Sequence, residues 1–147
     1  MKLLWASLLW FGLAGCAVDR KNQQTAPISA GLASNMAVDA IKQLQILYPP
    51  GQTRFNISQP IAQTDAFGTT LIKAMREKGY AVQVFSPEKA VGTPARLNVQ
   101  YMLDKPEIRL YEGLYRVTLS VGKSLLTRAY TDSNQSAIPA GAWAVME

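Results

Sequence analysis

Residues 64–84 read TDAFGTTLIKAMREKGYAVQV, and their pattern decides the fold. Thr64 or Asp65 is a helix cap, because its side-chain oxygen can accept from a backbone N–H of the first turn. Phe67, Leu71, Ala74 and Met75 recur at three- and four-residue spacing and form a buried stripe, while Lys73, Arg76, Glu77 and Lys78 face water. Gly79 stands where a helix ends in the left-handed conformation, which glycine adopts without steric penalty. Residues 80–84 then read as a strand. Immediately upstream, residues 53–59 alternate Phe55 and Ile57 with Arg54, Asn56 and Ser58, the period of a half-buried strand, and Pro60 ends it. Strand, helix, glycine stop and strand make one compact unit.

Working outward from that unit, residues 35–48 carry Val38, Ile41, Leu44 and Tyr48 at helical spacing, with Ala37, Ala40 and Leu47 beside them. Ser34 or Asn35 is the expected cap, and Pro49-Pro50-Gly51 the stop. Downstream, residues 85–95 are loop. Residues 96–103 alternate with Leu97, Val99, Tyr101 and Leu103 on one face; residues 108–111 suggest a short strand; residues 114–121 alternate with Tyr115, Val117, Leu119 and Val121 inward. Gly122-Lys123 is a turn and residues 124–130 a last strand, the pattern of an antiparallel meander. Residues 131–137 read as polar loop, and the apolar tail 138–143 docks or extends as an edge. The expected fold class is α+β, one or two helices packed on a mostly antiparallel sheet of four to five strands.

Composition narrows the chemistry. The chain has 147 residues, 48% hydrophobic and 17% charged, with no histidine, one cysteine and a net charge of +5. That length fits one domain. Absence of histidine removes Ser-His-Asp triads, Cys-His dyads and histidine-ligated metals. One cysteine allows neither an intrachain disulfide nor a CxxC zinc site. The basic residues are scattered singly, so no nucleic-acid patch forms. Val121-Gly122-Lys123-Ser124 ends like a phosphate loop, but position 117 is Val where that loop needs Gly, so it reads as a hairpin turn. Glu107 and Glu112 sit beside Lys105 and Arg109 and read as solvated strand-edge residues rather than a catalytic pair. No catalytic, cofactor-binding or metal-binding residues are expected. Tyr80, Tyr101, Tyr111, Tyr115, Tyr130 and Trp143 are mostly strand-face packing, with an exposed subset available to a partner.

The first segment is an address. Lys2 supplies a positive start, and residues 3–18 carry no charge over 16 residues, short of the roughly 20 that cross a bilayer as a helix. A retained membrane anchor is the alternative. The segment ends Leu13-Ala14-Gly15-Cys16, which resembles the lipobox of bacterial lipoproteins. That resemblance implies a diacylglyceryl group on the Cys16 sulfur, cleavage before Cys16 and acylation of its new amine, palmitate being an ordinary acyl donor chain. A rival cut after Ala17, with Gly15 and Ala17 as its small pair, would discard the cysteine. The same resemblance implies retention in the inner membrane where Asp follows the cysteine, so Ala17 implies the outer membrane. The resulting organisation is a signal peptide over residues 1–15, a lipidated flexible tether over residues 16–33, and a single periplasmic α+β domain over residues 34–147.

The lipobox, the helix ending Tyr48-Pro49-Pro50, the run Asp65-Ala66-Phe67-Gly68-Thr69-Thr70-Leu71, the run Met75-Arg76-Glu77-Lys78-Gly79-Tyr80-Ala81-Val82 and the tail Ala140-Gly141-Ala142-Trp143 together resemble the TrbH family of conjugative plasmid transfer lipoproteins. The resemblance implies a non-catalytic outer-membrane lipoprotein, on the periplasmic face, that helps assemble or anchor the mating-pair-formation channel, a type IV secretion system. Its partners would be other subunits of that channel and, through the lipid, the membrane, without direct nucleic-acid contact and with a homo-oligomer or ring left open. The strand–helix–glycine–strand unit is also similar to small ring-forming modules of secretion channels, a likeness of fold alone. The alternatives are an accessory lipoprotein of an envelope transporter or outer-membrane assembly machine, and a periplasmic enzyme acting on the cell wall.

Overall fold

The computed structural model describes residues 28–87, 96–106 and 113–147. Cys16, the expected signal peptide, most of the expected tether, Glu107, Glu112, Tyr111 and the short strand expected at 108–111 lie outside the described residues. The elements run α1 (Ala30–Leu47), a single 3-10 turn (Pro50–Gln52), β1 (Arg54–Ile57), α2 (Ala66–Glu77), β2 (Ala81–Gln83), β3 (Leu97–Asp104), β4 (Leu114–Val121), β5 (Ser124–Ser133), β6 (Ser136–Pro139) and β7 (Ala144–Met146).

The unit at residues 53–84 forms as its sequence requires. Asp65 caps α2, its carboxylate accepting from Gly68 N–H at 2.9 Å. Phe67, Leu71 and Met75 are buried. Gly79 takes φ 87° and lets the Tyr80 N–H return to the Met75 carbonyl at 3.0 Å. Because α2 carries the chain back across the sheet, β2 returns beside β1 and parallel to it, with Phe55 opposite Val82. β3 flanks β1 on its other side, also parallel, with Phe55 opposite Leu97. From β3 onward every pairing is antiparallel.

The strand order is β2-β1-β3-β4-β5-β6, with β7 also pairing with β5. The α+β class stands, but the sheet has seven strands and is mixed, rather than four to five and mostly antiparallel. Two physical causes account for the difference. A crossover helix forces its two flanking strands parallel when they are neighbours. The C-terminal residues also extend the edge as two short strands, and the first of them begins inside the stretch expected as loop. β5 runs on to Ser133 through the expected loop, and a two-residue turn returns it as β6. Asn134 and Gln135 both have positive φ, 52° and 64°, the geometry whose twist matches a hairpin. Glutamine rarely takes that conformation, so the turn leaves no clear mark in the sequence.

α1 begins at Ala30, not Asn35. Ser29 caps it by accepting from Leu32 N–H at 3.3 Å, in place of Ser34 or Asn35. Residues 30–33 therefore belong to the fold, with Leu32 and Ala33 buried. The buried stripe is Leu32, Met36, Ala37, Ala40, Ile41 and Leu44, which leaves Val38 and Leu47 exposed. Both helices cover one face of the sheet. Under them Phe55, Ile57, Val99, Tyr101, Leu103, Val117, Leu119, Leu126 and Tyr130 close a single core.

Candidate interaction surface

Two carboxylate–phenol contacts fasten the helices to the sheet, and both join residues far apart in the chain. On α2, the second oxygen of Asp65 accepts from the Tyr101 hydroxyl on β3. The ring of Tyr101 packs on Phe67 at 4.8 Å between centroids. Gly68 makes this approach possible, since a Cβ there would overlap the Tyr101 hydroxyl and stand 2.9 Å from Ile61. The Tyr101 N–H in turn donates to Gln59 Oε1 at 2.8 Å, so a side-chain amide continues the ladder past the end of β1, just before Pro60. Burial raises the Tyr101 phenol well above its usual value, and the Asp65 carboxylate raises it further.

On α1, Asp39 Oδ2 accepts from Arg128 Nη1 and from the Tyr130 hydroxyl, both at 2.8 Å. The Tyr130 phenol is raised by its burial first and by Asp39 second. Arg128 also donates from Nε to the Gly141 carbonyl at 2.9 Å. Its guanidinium lies 6.0 Å from the Trp143 ring, which meets Tyr130 edge-on at 6.5 Å. The contact to Gly141 depends on a local irregularity. Tyr130 pairs with Pro139 and Thr127 with Ala144, so residues 140–143 oppose only Arg128 and Ala129. The edge bulges there, and the freed Gly141 carbonyl turns to Arg128. The tail motif is thus an anchored edge, held by α1 through one arginine.

The face away from the helices is uncovered by any described element. Asn56 donates to Asn98 at 2.8 Å across β1 and β3. Gln100 faces Ser120 and Met102 faces Thr118 across β3 and β4, and with Gln59 and Pro60 they line a shallow depression of about 390 Å³. Asp104 and Arg116 pair at one end, and that contact raises the Arg116 guanidinium. Neutral amides and hydroxyls beside Met102 and Pro60 suit recognition, and they supply neither an activated nucleophile nor a poised acid and base.

Of the residues singled out from the sequence, Asp65 is a helix cap as expected, and it also accepts from a tyrosine the sequence did not connect to it. Gly122 and Lys123 form the expected turn between β4 and β5. Tyr101, Tyr130 and Tyr80 are buried and Tyr115 and Trp143 pack against the core. Asp39 and Arg128 are not recognisable from the sequence, since an acid on a helix and an arginine on a strand carry no local sign of meeting 89 positions apart. Among the described residues no group of three or more His, Cys, Asp or Glu could hold a metal ion. No helix among them is long and apolar enough to cross a membrane.

A one-sided mixed sheet backed by two helices, each fastened to it by a carboxylate–phenol contact, defines a small α+β domain. Residues 17–147 match the family model of the conjugal transfer protein TrbH, and the chain belongs to that family. It is therefore a conjugal transfer component, associated with other components of that system. The chain matches no curated protein and no solved structure.

Proposed function

We propose that the protein is a non-catalytic outer-membrane lipoprotein that helps assemble or anchor the conjugative transfer channel. The observation that carries this reading is membership of the conjugal transfer family over residues 17–147, a match that opens directly after Cys16. Cys16, at the end of the lipobox-like Leu13-Ala14-Gly15-Cys16, is the lipid-bearing residue of the proposal, and residues 17–29 link it to the first capped turn of α1. Two or more acyl chains anchor stably, each CH₂ contributing about 0.8 kcal/mol. The folded part then acts by binding other channel subunits in the periplasm, for which the uncovered sheet face and the sheet edges are the available surfaces.

The test is fractionation of donor envelopes with affinity recovery of the tagged full chain. The expected result is outer-membrane location, co-recovery of the channel's periplasmic and outer-membrane subunits, and loss of both membrane location and plasmid transfer on Cys16→Ser. A Cys16→Ser chain that still fractionates with the outer membrane and supports normal transfer would sink the anchoring role. Recovery of a transporter in place of channel subunits would overturn the channel role.

A further inference from the structure

We propose that copies of this chain join head to tail through their sheet edges, β2 of one copy pairing antiparallel with β7 of the next, centred on Val82 opposite Val145. Among the described strands, β2 ends the sheet on one side, and β6 with β7 ends it on the other. An unpaired edge offers backbone donors and acceptors to another chain. Of the seven large hydrophobic side chains exposed among the described residues, Ile138, Val145 and Met146 belong to the β6–β7 edge, while Phe85 lies two positions beyond β2. The Tyr80 hydroxyl, just before β2, donates to the Tyr48 carbonyl at 2.6 Å and so ties the chain entering β2 to the end of α1, which carries the exposed Ile46 and Leu47.

Three properties fix the arrangement. The first is direction. β1, β2, β3 and β5 run one way and β4, β6 and β7 the other. Copies set side by side with their helices on the same face therefore bring β2 against β7 antiparallel, the stronger ladder. The second is facing. Val82 pairs with the buried Phe55, and Val145 with the buried Leu126, so both valines project to the helix side. Pairing them continues the apolar layer across the junction, and β2 and β7 are both three residues long. The third is charge. Exposed Arg54, Arg76 and Lys78, without ion-pair partners among the described residues, flank the β2 edge. The other edge carries exposed Glu147 directly after β7, with Lys123 at the hairpin end. The proposed register sets Glu147 of one copy beside the turn that holds Lys78 of the next. Pairing β2 with β2 would instead set the cations against one another, so charge selects the heterologous contact, which propagates as a ring or filament rather than stopping at two copies.

The inference concerns contacts between copies of this chain and stands apart from the channel reading, so the test is run with and without other transfer genes. In the full chain, Gln83→Cys and Ala144→Cys lie directly opposite in the proposed register, within the reach of a disulfide. The doubly substituted chain is expected to give a ladder of dimers, trimers and higher species on oxidation. Each single substitution, which retains Cys16, is expected to stay at the level of the unsubstituted chain. Val145→Asp in the double variant should abolish the ladder while protease resistance of the fold is kept. A protease-resistant double variant without a ladder overturns the proposal. So does dimer formation by Gln83→Cys alone, which would mean a two-fold contact between β2 strands.

Discussion

The hydroxyl of Tyr101 donates to the carboxylate of Asp65, 36 positions earlier, and that carboxylate also caps α2 through Gly68 N–H. One side chain thus starts the helix and fixes its first turn to β3. Gly68 sits between them because the phenol passes where a Cβ would be.

Gly68→Ala should be clearly destabilising although it adds a single methyl group. The added methyl overlaps the Tyr101 hydroxyl and crowds Ile61. Relief requires breaking the Asp65 contact or shifting α2. Overpacking of this kind costs about 1–3 kcal/mol, and the lost contact adds to it. Urea denaturation of the full chain and the variant measures the difference; an unchanged midpoint contradicts the packing described.

Asp65→Ala should cost more than Tyr101→Phe. The first removes a cap, worth about 1 kcal/mol, and orphans a buried phenol. The second removes only a donor, and Asp65 keeps Gly68 N–H. A double-substitution cycle should return a non-zero coupling between the two positions. Additive effects would mean that the contact contributes nothing.

Asp39→Ala should loosen the tail from α1. Arg128 and Tyr130 both donate to Asp39, and Arg128 holds the Gly141 carbonyl next to Trp143. Beyond residue 15, Trp143 is the sole tryptophan. In a chain of residues 16–147 its fluorescence reports this edge alone, and Asp39→Ala should shift it to the red and raise its quenching by iodide. Asp39→Asn, which keeps an acceptor, should lie between the two.

Stability should fall at alkaline pH. Tyr101 and Tyr130 are held protonated above the ordinary phenol value of 10.0 by burial and by Asp65 and Asp39. Above pH 10 the folded chain keeps protons that the unfolded chain has released. Their contribution is therefore complete below pH 10 and is lost as pH rises beyond it, at about 1.4 kcal/mol per pH unit for each phenol. Tyrosinate absorbance during an alkaline titration should show these two phenols ionising only with unfolding. Free ionisation of all tyrosines near pH 10 in the folded chain would contradict the two contacts.

The local devices of this fold are legible residue by residue. Asp65, the Phe67-Leu71-Met75 stripe, Gly79 and the Pro49-Pro50 stop each act through their immediate neighbours, and each appears where its spacing puts it. The alternation of Val99, Tyr101 and Leu103, and of Val117, Leu119 and Val121, identifies the buried face of β3 and β4 in the same way. The start of α1 is not legible locally, because Ser34 and Asn35 are as good as Ser29 at capping; burial of Leu32 and Ala33 chooses among them.

By itself, then, the sequence determined the α+β class, the strand–helix–strand unit and the family likeness. Those rest on contacts within a few residues or on side-chain periodicity. Tertiary structure alone decided that β1 lies between two parallel neighbours, that the tail splits into β6 and β7 around a bulge, and that Asp39 meets Arg128 and Tyr130. Strand order and cross-chain polar contacts depend on which distant surfaces bury together. A carboxylate on a helix gives no local sign of the guanidinium and phenol that will reach it.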